Sequence, residues 1–198
     1  MKLVFYYDVV CPYAYLASTR IEALAARARV ECAWTPILLG GVFRAIQSPD
    51  VPAAHMPPAK ARLNLLDLAR YASLYGVTLK LPAEHPRRTV DAMRLCHAVD
   101  GADRVRLSHA LYRAYFAEGR DVADRRVLGA IARDCGLDEN LVERVETPAI
   151  KDALRAATDE AIADGVFGVP GFVVVSGGAR KLFWGQDRMH LVERALAA

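Results

Sequence analysis

The chain has 198 residues, 54% of them hydrophobic and 25% charged, and its 26 basic and 23 acidic residues leave a formal net charge of +3. That is enough apolar material for one substantial core, and the interspersed charges exclude the long basic face that nucleic acid or an anionic membrane would require. No stretch approaches the ~20 consecutive apolar residues of a membrane-spanning helix.

Residues 2 to 7 are β-prone, and residues 12 to 28 carry Ala, Leu, Ile and Arg at helical spacing, with Tyr15, Leu16, Thr19, Leu24 and Ala28 available for a core face. The apolar run from Lys2 to Ala17 is short, aromatic and interrupted by Asp8, so it reads as a first strand and not as a signal peptide. Between strand and helix stands Cys11-Pro12. Proline suits a first helical position because its missing N–H would be unsatisfied there, which makes Cys11 the N-cap. Free first-turn amides near its sulfur favour a thiolate, with a buried, inert cysteine as the alternative. The four cysteines, Cys11, Cys32, Cys96 and Cys135, form no C-x-x-C pair, so neither a zinc site nor a dithiol centre is expected. They are expected as thiols in a reducing cytoplasm, and Cys32, Cys96 and Cys135 as core packing.

Val30, Cys32 and Trp34 alternate with Glu31, Ala33 and Thr35, which predicts a second strand running to Pro36 and a parallel strand, helix, strand unit. Gly40-Gly41 and the proline-rich stretch that ends in Pro57-Pro58 read as a break. Helices are then predicted over 59–76, 88–99, 104–118, 124–135 and 138–145, with Leu65, Leu66, Ala69 and Ala72 packing toward Leu111, Tyr112, Tyr115 and Phe116. A further helix over 149–164 leads into the glycine-flanked loop Gly165-Val-Phe-Gly-Val-Pro-Gly171. Strands 172–176 and 180–184 flank Gly177-Gly178 as a hairpin, and Asp187 opens a last helix to Leu196. His55, His85, His97, His109 and His190 show no metal-ligand spacing, so no metal is expected.

This order resembles a thioredoxin fold with a helical insertion after its second strand. Asp8-Val-Val-Cys-Pro-Tyr-Ala-Tyr-Leu-Ala17, Pro58-Ala-Lys-Ala-Arg62, Asp67-Leu-Ala-Arg70, Gly165-Val-Phe-Gly-Val-Pro170 and Phe183-Trp-Gly-Gln-Asp-Arg188 resemble the disulfide-bond-oxidoreductase-like superfamily. The resemblance is narrower to its glutathione-using branch, the 2-hydroxychromene-2-carboxylate isomerases and kappa-class glutathione transferases. It implies an α/β, thioredoxin-like fold in which residues 1–38 and 149–198 form the thioredoxin-like domain and 39–148 an all-helical insertion. It also implies glutathione as cofactor, a small, anionic aromatic substrate, a homodimer and a cytoplasmic location. The implied reaction is reversible addition of the glutathione thiolate to the substrate, or a related transfer.

Residue by residue, the resemblance places Cys11 at the catalytic position where relatives carry serine, and a cis Val169-Pro170 bond at which Val169 pairs with the cysteinyl backbone of glutathione. Pro12, Lys60, Val169, Pro170, Gln186 and Asp187 are implied as glutathione-binding, with Asp187 on the γ-glutamyl ammonium at a helix end that also favours its carboxylate. Arg62 and Arg88 are implied as substrate-binding. Arg88 stands where the isomerases usually have asparagine, and Asp50 is the nearest counterpart of another expected asparagine. The alternative is a monothiol disulfide oxidoreductase with Cys11 as the attacking thiolate.

Overall fold

The structure is a computed structural model that describes residues 1–49 and 51–197; Asp50 lies outside the described residues. Its first unit is β1 (Lys2–Tyr7), α1 (Pro12–Ala28) and β2 (Glu31–Pro36), with β1 and β2 parallel as the crossover rule requires. The chain ends with β3 (Gly171–Ser176), β4 (Ala179–Trp184) and α8 (Met189–Leu196). The sheet order is β2-β1-β3-β4, with β3 antiparallel to both β1 and β4. β1 is therefore internal, and Leu3 to Tyr7 are buried on both faces of the sheet. Phe5 sits at the centre, stacked on Tyr7 at 5.4 Å and Phe172 at 5.6 Å and edge-on to Trp34 at 5.0 Å.

Between these parts run α2 (Leu39–Ala45), α3 (Pro58–Leu74), α4 (Val90–His97), α5 (Gly101–Phe116), α6 (Arg125–Asp134) and α7 (Pro148–Ala163). The expected helix over 138–145 is a 3-10 helix, Glu139–Glu146, and the last helix is preceded by a 3-10 turn, Gln186–Arg188. Asp187 thus lies inside that turn and does not cap α8.

The Gly40-Gly41 break is corrected: both glycines lie in α2. A Cβ on Gly41 would stand 3.2 Å from Thr158 Cγ2, so the glycine allows α2 to approach α7, whose Thr158 hydroxyl accepts the Leu38 N–H at 3.1 Å. The apolar face expected on α3 is also corrected. Leu65 and Leu66 are 55% and 49% exposed, and α3 instead buries Leu68 and Ala72 on Leu16 of α1. Four of the five leucines of α3, Leu63, Leu65, Leu66 and Leu74, therefore stay exposed, and only Leu68 is buried. On α1, Thr19 is exposed and Ile21 takes the core position.

One cluster joins the tail of the fold to the loop before β3. Arg180 on β4 donates to Asp164, at the end of α7, from Nε and Nη2, each at 2.5 Å, and Tyr6 OH donates to the same carboxylate at 2.8 Å. The segment from Gly165 to Pro170 starts from this anchored point.

Candidate active site

Cys11 occupies the N-cap of α1 with extended backbone (φ −91°, ψ 115°), and Pro12 takes the first turn. Strand β1 delivers it there through the Asp8 turn, in which the Cys11 N–H donates to Asp8 O at 3.1 Å. The residue is 8% exposed, and its Sγ–H donates to Val169 O at 3.1 Å. The peptide bond between Val169 and Pro170 is cis, as the resemblance implies. The His85-Pro86 bond is cis as well, which nothing in the sequence signalled.

The expectation of a thiolate at Cys11 is reversed. Burial pushes the thiol up to about 12, against the lowering by the Ala14 and Tyr13 amides, and the Asp8 carboxylate raises it further. First-turn amides do point at the sulfur, but loss of water outweighs them. Cys11 is a thiol that donates.

Val169 is 4% exposed, and its N–H makes no hydrogen bond among the described residues. The same residue's carbonyl meets the Cys11 sulfur, so an N–H left open to a partner belongs to the residue that faces Cys11. Pro170 links to the other side of the site, because Gly185 N–H donates to Pro170 O at 3.3 Å. Gly185 begins the turn that carries Gln186 and Asp187, at φ 99° and ψ 132°. A Cβ there would lie 2.6 Å from Asp187 Oδ1 and 3.0 Å from Arg188 Nη1. Gly185→Ala is expected to lower stability by about 2 kcal/mol in urea titration, the cost of backbone that only glycine adopts readily; an unchanged midpoint would contradict this.

Asp187 is exposed, whereas Gln186 is 2% exposed with its Oε1 accepting from Tyr75 OH at 2.8 Å. Facing this turn, the half-buried Tyr13 phenol is hydrogen-bonded to Asn64 Oδ1 on α3. It is pushed up to about 12, first by burial and then by Cys11 and Asp67, with a smaller contribution from Asp187, so these groups surround it. Lys60 is exposed one helical turn before Asn64 and shares its face. Arg62 is about 200° around α3 from Asn64, so the helix turns it away from the Cys11 side. Arg88 is exposed next to Thr89, the buried residue that opens α4 and whose hydroxyl faces the Asp8 carboxylate. The structure therefore gathers Cys11, Pro12, Val169, Pro170, Gln186, Asp187 and the Lys60 face of α3, sets Arg88 beside the Asp8 turn, and leaves Arg62 apart.

Sequence reasoning overlooked Asp8, Asn64, Tyr75 and Gly185 as parts of this arrangement. Asp8 carried one signal, a lone carboxylate inside an apolar run. No group of His, Cys, Asp and Glu among the described residues is arranged to hold a metal ion. No helix is long and apolar enough to cross a membrane.

A thioredoxin-type sheet with a lone N-capping cysteine facing a cis-proline loop defines a class, and the match to known proteins agrees with it. The chain belongs to the DSBA-like thioredoxin domain family, which matches residues 2–197. It is 30% identical to a 2-hydroxychromene-2-carboxylate isomerase of Sphingobium xenophagum over 97% of this chain and 96% of that protein. It is 26% identical to glutathione S-transferase kappa 2 of Caenorhabditis elegans over 98% of this chain and 90% of the relative. A solved 2-hydroxychromene-2-carboxylate isomerase superposes with a TM-score of 0.81 at 25% identity, covering 100% of this chain and 95% of the other.

Proposed function

We propose that this protein is a glutathione-dependent isomerase acting on a small, anionic aromatic-pathway compound, in the manner named for its isomerase relatives. The observation that carries this reading is a Val169 N–H without a partner among the described residues, on the residue whose carbonyl accepts the Cys11 thiol. A peptide backbone laid along Val169 satisfies that donor, and its sulfur then lies toward Cys11. Bound glutathione supplies a thiolate that adds reversibly to a conjugated carbon of the substrate and is released unchanged.

The chain's own groups do the rest. Cys11 turns its S–H from Val169 O toward the ligand sulfur, and the Tyr13 and Ala14 amides at the start of α1 add positive potential around it. Pro12 shapes that first turn. Asp187 takes the γ-glutamyl ammonium, Gln186 assists at its carboxylate, and Lys60 meets the glycine carboxylate. Arg88 holds the substrate anion, and the segment 39–148 forms the substrate wall as an insertion domain. Arg62 has no part in this reading. The protein works in the cytoplasm, where its four free thiols persist, as a homodimer that covers the outer face of α3, with Leu63, Leu66 and Leu74 at 52%, 49% and 73% exposed.

Calorimetry is expected to show glutathione binding that Asp187→Ala weakens at least about tenfold, the loss of a charge-assisted contact. Cys11→Ser is expected to retain turnover of 2-hydroxychromene-2-carboxylate. Absence of glutathione binding by the wild type would defeat the proposal. Rapid uptake of one glutathione by Cys11 from oxidised glutathione, seen by intact mass, with loss of all activity in Cys11→Ser, would replace it by monothiol disulfide exchange. The burial that keeps Cys11 protonated counts against that outcome.

A further inference from the structure

Three elements meet in a single chain of polar contacts at the Gln186 end of the site. Arg20 on α1 donates from Nη1 to Tyr75 OH at 2.9 Å, and its guanidinium carbon lies 4.5 Å from the centre of the Tyr75 ring. Tyr75, just past the end of α3, donates in turn to Gln186 Oε1 at 2.8 Å.

The direction of this chain is consistent throughout. A guanidinium can only donate, so the Tyr75 oxygen is its acceptor, and the phenol proton goes to Gln186 Oε1. With its carbonyl oxygen on Tyr75, Gln186 turns its amino group elsewhere. The Nε2 group has no partner among the described residues, and it lies in the turn that carries the exposed carboxylate of Asp187.

We propose that Tyr75 is a specificity-determining positioning residue: the Arg20–Tyr75–Gln186 chain holds the Gln186 amino group turned away from Tyr75 as a fixed donor, in the same turn as Asp187, a fixed acceptor. This pair suits a ligand that carries a carboxylate next to an ammonium, the amino-acid end of a γ-glutamyl compound, over one that carries the ammonium alone. The proposal rests on the glutathione reading and adds to it the residue that, acting through Gln186, sets the polarity of the γ-glutamyl contact. Without the phenol, Gln186 loses the partner of its buried oxygen and is free to rotate, presenting oxygen where the ligand needs a donor.

The test is calorimetry with two probes, glutathione and γ-aminobutyryl-cysteinyl-glycine, which lacks only the α-carboxylate. Wild type is expected to prefer glutathione at least about tenfold, the difference made by one hydrogen bond to a charged group. Tyr75→Phe is expected to lose most of that preference while its affinity for the analogue stays within about twofold, a split that a loss of packing would not produce. Gln186→Glu, which still accepts from Tyr75 but has no donor to give, is expected to abolish the preference. Arg20→Met, altered at an exposed position, reduces it partly and serves if Tyr75→Phe melts early. An undiminished preference in Tyr75→Phe, or an equal fall for both probes, overturns the positioning role alone. Failure of wild type to bind either probe overturns this role together with the glutathione reading.

Discussion

Replacing Asp8 with Ala is expected to lower the stability of the folded chain by about 3 to 4 kcal/mol, more than most single substitutions cost. Asp8 is 1% exposed, and its two oxygens accept from the Val10 N–H at 3.2 Å and the Leu39 N–H at 3.0 Å. The Thr89 hydroxyl faces the same carboxylate. Truncation leaves two backbone donors unsatisfied in the interior, at about 1 to 3 kcal/mol each, partly offset because a carboxyl no longer has to be buried. Burial raises the Asp8 pKa, against the lowering by Leu39, Val10 and Thr89. The sign follows: a folded-state pKa above the unfolded value of about 3.9 means stability from this group is full below that value and lost as pH rises through the folded pKa. The advantage of wild type over Asp8→Asn, which keeps the volume without the titration, should therefore shrink between pH 4 and pH 7. Urea titrations of both variants at the two pH values measure this; a loss under about 1 kcal/mol for Asp8→Ala would show that the turn does not depend on the carboxylate.

Asp8 also explains why residues far apart in the chain share one site. Its carboxylate fastens the Cys11 turn to the start of α2 through Leu39 and to the start of α4 through Thr89. Arg88 stands next to Thr89, so the same buried carboxylate that fixes Cys11 also fixes the approach of the proposed substrate anchor.

The elements that were legible in the sequence are those whose signals are local. A short apolar run marks β1, alternation marks β2, Gly177-Gly178 marks the hairpin, and Pro12 marks Cys11 as the N-cap, because each depends on neighbours within a few residues. What the sequence concealed depends on contacts made across the fold. Gly40-Gly41 looks like a break until Thr158 is seen to need the space, and the Asp8 carboxylate finds Leu39 31 positions away. On α3, the leucine pattern does not reveal which side the helix covers. The Cys11 thiol shows the same division: helix-end amides can be read locally, whereas the burial that outweighs them is a property of the assembled core.

That burial leads to a large kinetic effect. In the folded protein at pH 8, alkylation of Cys11 by iodoacetamide is expected to be at least about a hundredfold slower than that of an unperturbed thiol of pKa about 8.5. A thiol pushed up to about 12 is ionised in about one molecule in ten thousand at that pH, against roughly one in four for the unperturbed group. The greater nucleophilicity of a more basic thiolate recovers a factor of about forty, and the 8% exposure of Cys11 takes part of that back by restricting access. Cys135, half buried, should label first, and the Cys11 rate should climb tenfold per pH unit without levelling off up to about pH 10. Peptide mapping over a pH series reads both. A Cys11 rate that is already fast at pH 7 and levels off near there would overturn the picture, since it would reveal the thiolate that disulfide exchange requires. A cysteine that keeps its proton at pH 8 has the same function as a hydroxyl at that position, a hydrogen-bond donor to a neighbouring sulfur, and it is for this reason that Cys11→Ser is expected to be tolerated.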